Sequence, residues 1–364
     1  MNYEFREIVE MNFKSEKTHN RPRWYEYVGV MHIHSKDSDG TKSIPEIAKI
    51  GNELGLDFLF FTDHMTLKSL HLGREGWYGK TLAVIGYEIH DKDNKNHYLA
   101  FDIPEVLPGE LSAQEYVKMV KEEGGFGIVA HPDEIRKAIP QFPSYPWTAW
   151  DAQGFDGIEI WNQMSEWMEK LTKVNQLKMI LSPRSALYSP TNRVLGKWDE
   201  SNKERRVVGV GGVDAHAHPI EIGPFKITIF PYKVQFQSIR THILLDEPLS
   251  NDFQTARRQI FSALKNCKVF CSHYRWGDAK GFAFFAKSKE KTAKIGDEIS
   301  LKDEVKFTVQ TPKDAGIRLL CDGELVKEAV GNRLDYQVKG KGNYRVEAFR
   351  KKKGWIFSNH IRVV

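Results

Sequence analysis

Four short apolar runs in this chain each end in a side chain that can ligate a metal. Phe58-Leu59-Phe60-Phe61 leads to Thr62-Asp63-His64, and Leu82 to Tyr87 leads to Glu88. Gly127-Ile128-Val129-Ala130 leads to His131, and Val208 to Val213 leads to Asp214 and His216. Runs this short, rich in Val, Ile, Phe and Gly and apolar at successive positions, read as strands buried on both faces. Such strands belong to α/β folds, which place their sites at the carboxyl ends. One polar strand end is unremarkable; four ending in metal-ligating groups are hard to explain as core packing.

The surrounding rhythm supports a βα repeat. Tyr27–Ile33, Asp57–Thr62, Leu82–Tyr87, Tyr98–Phe101, Phe126–Ala130, Gly157–Trp161 and Val207–Val213 are the expected strands. Ser43–Leu54 reads as a helix with Pro45 in its first turn. Ser112–Glu123 reads as another, with Ser112 and Glu115 forming a capping box and Gly124-Gly125 as the stop. These units predict a parallel sheet, open or closed into a barrel.

After about Pro231 the pattern changes. Asp252–Lys265 reads as one helix. Val269–Cys271, Gly281–Ser288, Glu304–Gln310, Gly316–Cys321, Leu334–Val338, Tyr344–Arg350 and Trp355–Val363 then alternate like strands of an antiparallel sandwich. No candidate ligand lies there. The expected division is therefore a catalytic α/β unit at 1–250, including an N-terminal extension, and a linker helix with a β-sandwich at 251–364.

Bulk properties set the frame. The chain has 364 residues, 53 basic against 48 acidic, for a net charge of +5. That balance suits an anionic small-molecule substrate and makes no nucleic-acid stripe. Three cysteines without a CxxC pair give no disulfide framework and point to a reducing, cytoplasmic compartment. Met1–Lys17 is charged throughout and lacks a signal-peptide core. No apolar run has the length of a membrane span, so no membrane partner is expected. The β domain is the expected place for any oligomer contact.

The remaining candidates are shorter. His32 and His34 stand two apart in a strand, which points both to one side, where they can share a metal. By itself this pattern is weak, and a core or surface role explains an isolated pair as well. His216-Ala217-His218 is a second such pair, of which one member is the expected ligand. Asp63 reads equally as a helix cap, and Glu88 as a solvated strand end or a carboxylate bridging two metals.

Taken in order, His-x-His, Ser38-Asp39-Gly40-Thr41, Thr-Asp-His, Gly-x-Glu, His97, Ala-His-Pro and Asp-Ala-His resemble the PHP (polymerase and histidinol phosphatase) superfamily over roughly Val28–His218. The resemblance implies a distorted (β/α)7 TIM-like barrel with two or three divalent metal ions, Zn, Mn or Fe, at its strand ends. It implies a first metal on His32, His34, Glu88 and Asp214. It implies a second on Glu88, His131 and His97, and a third on Asp39, His64 and His216. Some family members carry His at the position of Asp39. More loosely, the ending Lys353–Ile361 resembles stand-alone PHP hydrolases of the CehA/McbA-like group; a packed sandwich strand explains it as well.

Metals so placed hold a bridging hydroxide that attacks phosphorus or carbonyl carbon. Asp214 is the expected proton acceptor and His216 the expected aid to the leaving group. Arg184 and Arg193, in the loop before the last ligand-bearing strand, are candidates to bind a substrate phosphate, though each reads equally as a solvated surface arginine. Trp161 and Asn162 are candidate pocket walls. The expectation is a phosphoesterase on a small phosphate ester. An amide or carbamate hydrolase with the same metal site is the alternative, and a non-catalytic metal-binding module a third.

Overall fold

The computed structural model describes residues 22–137, 143–222, 225–302 and 304–364. The expected N-terminal extension as far as Arg21, with its charged stretch Met1–Lys17, lies outside the described residues.

Seven strands close a barrel. They are β1 (Tyr25–Ile33), β2 (Phe58–His64), β3 (Thr81–Ile89), β4 (Tyr98–Phe101), β5 (Phe126–Val129), β6 (Gly157–Asn162) and β7 (Val208–Ala215). Each pairs with the next, and β7 returns to β1. Six run parallel, and β4 runs against both neighbours. The link between β3 and β4 is too short to carry a crossover helix, so the chain turns back as a hairpin. That reversed strand is one distortion of the expected (β/α)7 plan.

The expected helices form where their caps place them. In α1 (Ile44–Glu53), the Ser43 N–H and hydroxyl both donate to Glu46, at 2.8 and 2.6 Å. In α2 (Ala113–Glu122), Ser112 and Glu115 repeat the arrangement, and Gly124 ends the helix with a φ of +77°. Between β6 and β7 come α3 (Gln163–Lys170), α4 (Gln176–Leu181) and α5 (Asn192–Glu204). Among the described residues none is a helix long and apolar enough to cross a membrane.

The barrel interior is packed. Phe58, Phe60, Leu82, Val84, Leu99, Phe101, Phe126, Ile128, Val208 and Val210 form one buried cluster, joined by Ile260, Phe261 and Leu264 of α6 (Phe253–Lys265). The Phe261 ring meets Phe60 and Phe126 edge-on, with centroids 5.7 and 5.8 Å apart. By its packing, α6 joins the barrel core, although it follows the boundary expected at residue 250.

β1 also leads out of the barrel. Tyr25–Gly29 pair antiparallel with β8 (Ile239–Leu245), while Met31 and Ile33 pair with β7. From β8 the sheet continues through β9 (Val269–His273) to the C-terminal strands: β10 (Ala283–Lys287), β11 (Lys306–Cys321), β12 (Glu324–Gln337), β13 (Gly342–Arg350) and β14 (Lys353–Ser358), where β14 pairs with β9. The expected strands Glu304–Gln310 and Gly316–Cys321 are one strand, β11. Its first half pairs with β10 and its second with β13, so it passes from one layer to the other. Phe284, Phe307, Val309, Ile317, Leu319, Val346 and Trp355 fill the space between the layers.

Candidate metal centre

The candidate ligands converge at the carboxyl ends of the barrel strands. Glu88, at the end of β3, is the hub. Its Oε2 lies 3.0 Å from His32 Nε2, 3.2 Å from His34 Nε2 and 3.4 Å from His64 Nδ1. Its Oε1 lies 2.6 Å from His97 Nδ1 and 3.1 Å from His131 Nε2. Asp214 Oδ1 faces the first pair from the other side, 3.4 Å from His32 Nε2 and 3.3 Å from His34 Nε2. Asp39 Oδ2 lies 3.3 Å from His216 Nε2 and 3.7 Å from His64 Nε2.

Three overlapping ligand groups result: His32, His34, Glu88 and Asp214; His34, Asp39, His64 and His216; and His64, Glu88 and His97. The first is the set implied for the first metal. The second adds His34 to the trio implied for the third. In the remaining group His64 stands where His131 is implied, while His131 touches Glu88 from the side of β5.

Backbone geometry explains how these side chains meet. His32, His131 and Asp214 all have positive φ, at 66°, 25° and 53°. That region is costly for non-glycine residues and is tolerated where surrounding structure imposes it. The β1–β2 register slips between Val30 and Ile33, and the β1–β7 register between Met31 and Ile33. Each slip is a bulge that re-aims a side chain. Simple strand alternation, the reason expected for His32 and His34 sharing a face, is therefore not what brings them together.

A buried layer behind the ligands fixes them. Glu159, in the middle of β6, lies 3.2 Å from His32 Nδ1, and its other oxygen accepts the His131 N–H at 2.8 Å. Asn162 donates to the same carboxylate at 2.9 Å. A Cβ on Gly212 of β7 would fall on Glu159 Oε1, so glycine is required there. Asp63 accepts from the Ser35 N–H, the Ser35 hydroxyl and the Ser38 hydroxyl, each at 2.7 Å. It thereby shapes the loop that carries Asp39. A Cβ on Gly40 in that loop would strike the His34 carbonyl. Tyr232 Oη lies 2.8 Å from that carbonyl and accepts the Thr41 N–H at 3.1 Å.

The electrostatics are those of a cation site. Burial drives the His34 and His131 pKa values down, yet the carboxylates around them, Asp214 and Glu88 for His34 and Glu88 and Glu134 for His131, hold both at about 9. Burial raises Glu88 and Asp214, but the surrounding imidazoles hold both carboxyls well below the usual range. His64, half-buried, is desolvated with weaker compensation from Glu88 and Asp39 and falls to about 3. His34 Nδ1 and Nε2, His64 Nδ1 and His131 Nδ1 are buried without a hydrogen-bond partner. Buried polar atoms are normally satisfied, so unpaired imidazole nitrogens facing carboxylates fit a divalent cation. The oxygen and nitrogen donors suit Zn, Mn or Fe.

No family model matches the chain. It is 28% identical over 148 residues, 36% of this chain and 80% of that one, to an uncharacterized protein of Methanocaldococcus jannaschii. Among the solved structures similar to it are two. One is a two-domain protein of Bacteroides vulgatus containing a predicted PHP-like metal-dependent phosphoesterase, at 14% identity and TM-score 0.42, covering 94% of this chain and 97% of that one. The other is PsfC from Pseudomonas syringae, at 15% identity and TM-score 0.41, covering 65% of this chain and 88% of that one.

A cavity of about 560 Å³ opens over the cluster. The ligands form one side. Met164, Trp167, Met168, Leu171, Ile180, Ile229 and Phe230 form an apolar wall opposite. Arg136 is the cation at its rim, paired with Glu134 and stacked on Tyr145 at 5.4 Å. His218 lines the cavity beside His216, with ring centroids 5.3 Å apart.

Four expected wall residues lie elsewhere. Arg193, in the first turn of α5, is turned outward to Asp133, with Nε 2.6 Å from Oδ1. Arg184 follows α4 and points away from the cluster, donating to the Gln237 carbonyl at 3.2 Å. Trp161 is buried and donates to Glu166 at 2.7 Å, and Asn162 caps α3 through the Ser165 N–H. In each case a nearby carboxylate, carbonyl or helix end already claims the polar atoms. Glu159 is the functional residue the sequence reading missed. Its signal was a carboxylate between Ile158 and Ile160 in a buried strand.

Proposed function

We propose that this chain is a metal-dependent hydrolase acting on a small phosphate ester with an apolar, uncharged body. The observation that carries the reading is the convergence of eight imidazole and carboxylate side chains on or beside Glu88, under one cavity. Divalent ions held by His32, His34, Glu88 and Asp214, and by His64, His97, His131, Asp39 and His216, would activate water and neutralise charge on substrate oxygens.

The chain's own residues do the rest. Glu159 accepts the Nδ1 proton of His32, which leaves Nε2 free as a ligand. Asn94 faces His97 Nε2 at 3.2 Å and leaves Nδ1 toward Glu88 in the same way. Asp214 is positioned to take a proton from the nucleophile, and His216, 14% exposed at the cavity, to assist the leaving group. The apolar wall excludes water and binds the ester's alcohol portion.

The same wall favours a second reading. Among the described residues it offers no cation for a phosphate apart from Arg136, and the tail resembles the CehA/McbA-like group, so an aryl carbamate or amide is the competing substrate class. The test is turnover of aryl phosphates and aryl carbamates by metal-reconstituted protein, with Asp214→Asn as control. Phosphate release lost in the control supports the first reading. Carbamate cleavage alone supports the second. Activity toward neither, with full metal occupancy, would leave a binding module.

A further inference from the structure

A second polar cavity lies away from the metal cluster, where the barrel meets the β domain. It measures about 480 Å³ and shares no lining residue with the metal cavity. Its walls carry Arg184 from the segment after α4, Arg275 from the turn after β9, Lys313 from β11, and Arg350 and Lys351 from the end of β13. Among the described residues none of these five cations has a carboxylate within ion-pair distance.

Like charges do not gather in a hollow without reason, because each raises the cost of the next. Burial and the neighbouring Arg275 both push the Arg184 guanidinium down from its ordinary value. Trp276 lines the same cavity, and its indole N–H is buried without an acceptor. The backbone is also adapted. Gly277 has a φ of +138°, and a Cβ there would lie 2.7 Å from Arg350 Nη1. The glycine lets that guanidinium come close, where it donates to the Trp276 carbonyl and stacks on Trp355 at 5.1 Å.

We infer that this cavity is a binding site for a small polyanion carrying two or more phosphoryl charges, distinct from the substrate of the metal centre. Guanidinium forks and ammonium groups are the side chains that recognise such oxygens, and the volume is that of a small-ligand pocket. The ligand would touch both halves of the chain, and so would hold them together. Arg184, expected from the sequence to bind a phosphate, binds one here and not at the metals.

The test is calorimetric titration of inorganic pyrophosphate into the full chain, dialysed against chelator, with a melting curve beside it. One saturable site and a raised melting temperature are expected. Arg275→Glu/Lys313→Glu should weaken binding at least about tenfold and abolish the thermal shift. Both side chains are exposed, and Lys351→Glu, equally exposed, serves should the double variant not fold. Asp214→Asn should bind as the parent does. Unchanged binding in the charge-reversed variants, loss of binding in Asp214→Asn, or no saturation would each overturn the assignment.

Discussion

Glu159 Oε1 sits 3.2 Å from His32 Nδ1, both side chains fully buried, at the back of the metal cluster. A carboxylate in this position fixes which nitrogen of the ring is free and raises its basicity as a ligand. Glu159→Gln keeps the shape and removes the charge. The expected result is a loss of metal affinity of about tenfold or more with the fold retained, read by competition with a chelating dye. An unchanged affinity would mean that Glu159 only packs.

That residue also shows where sequence reasoning stopped. His64, Glu88, His131, Asp214 and His216 were legible because each closes an apolar run, and strand ends are where barrels expose polar groups; Asp39 and His97, which close none, were legible only through the family resemblance. The barrel strands β1 to β7 were legible to within a few residues. Glu159 was not, because it faces inward from mid-strand and only the fold shows that His32 lies opposite. The bulges at His32 and Asp214 were equally hidden, since positive φ leaves no mark in residues of these types. β8 went unread because its alternating Arg240 and His242 break the apolar run; both are buried here, His242 against Glu26 and Ser272.

Protons and metal ions compete for the same nitrogens. In the metal-free chain His34 and His131 keep their protons up to about pH 9. Binding must displace those protons, so metal affinity should rise with pH between 6.5 and 9, by about tenfold per unit for each proton released. Dye competition at fixed ionic strength would check this. A flat profile would show that neither ring is protonated before the metal arrives.

The pKa of His273, away from the metals, is shifted in the other direction, downward. It is buried between the Arg184 carbonyl, 3.2 Å from Nε2, and the Arg275 N–H, which donates to Nδ1. Burial, with Arg184 and Arg275 nearby, lowers its pKa to about 3. The folded chain thus keeps the ring neutral where the unfolded chain protonates it. Its contribution is present above about pH 6.5 and is lost as pH falls toward 3, amounting to about 2 kcal/mol by pH 5. Urea denaturation of wild type and His273→Gln at pH 5 and pH 7 should show a smaller pH difference in the variant. An equal difference would refute the assignment.

Asp199 of α5 and Arg345 of β13 join the barrel to the β domain. The guanidinium meets the carboxylate twice, at 2.7 and 2.8 Å, and both groups are buried. His360 adds a contact to Asp199 at 2.9 Å, and Arg345 reaches Glu347 at 2.7 Å. Removing one member of a buried pair leaves the other without its full counter-charge, which costs about 3–5 kcal/mol, whereas replacing both with apolar groups costs far less. Glu347 remains for Arg345, so Asp199→Asn should lie near the lower figure. Asp199→Leu/Arg345→Met should recover part of it. Because the sheet runs unbroken from β1 through β8 and β9 to β14, the wild type should unfold in one transition seen alike by circular dichroism and tryptophan fluorescence. Asp199→Asn should shift that transition to lower urea or split it, and a midpoint left unmoved would show that the pair holds nothing together.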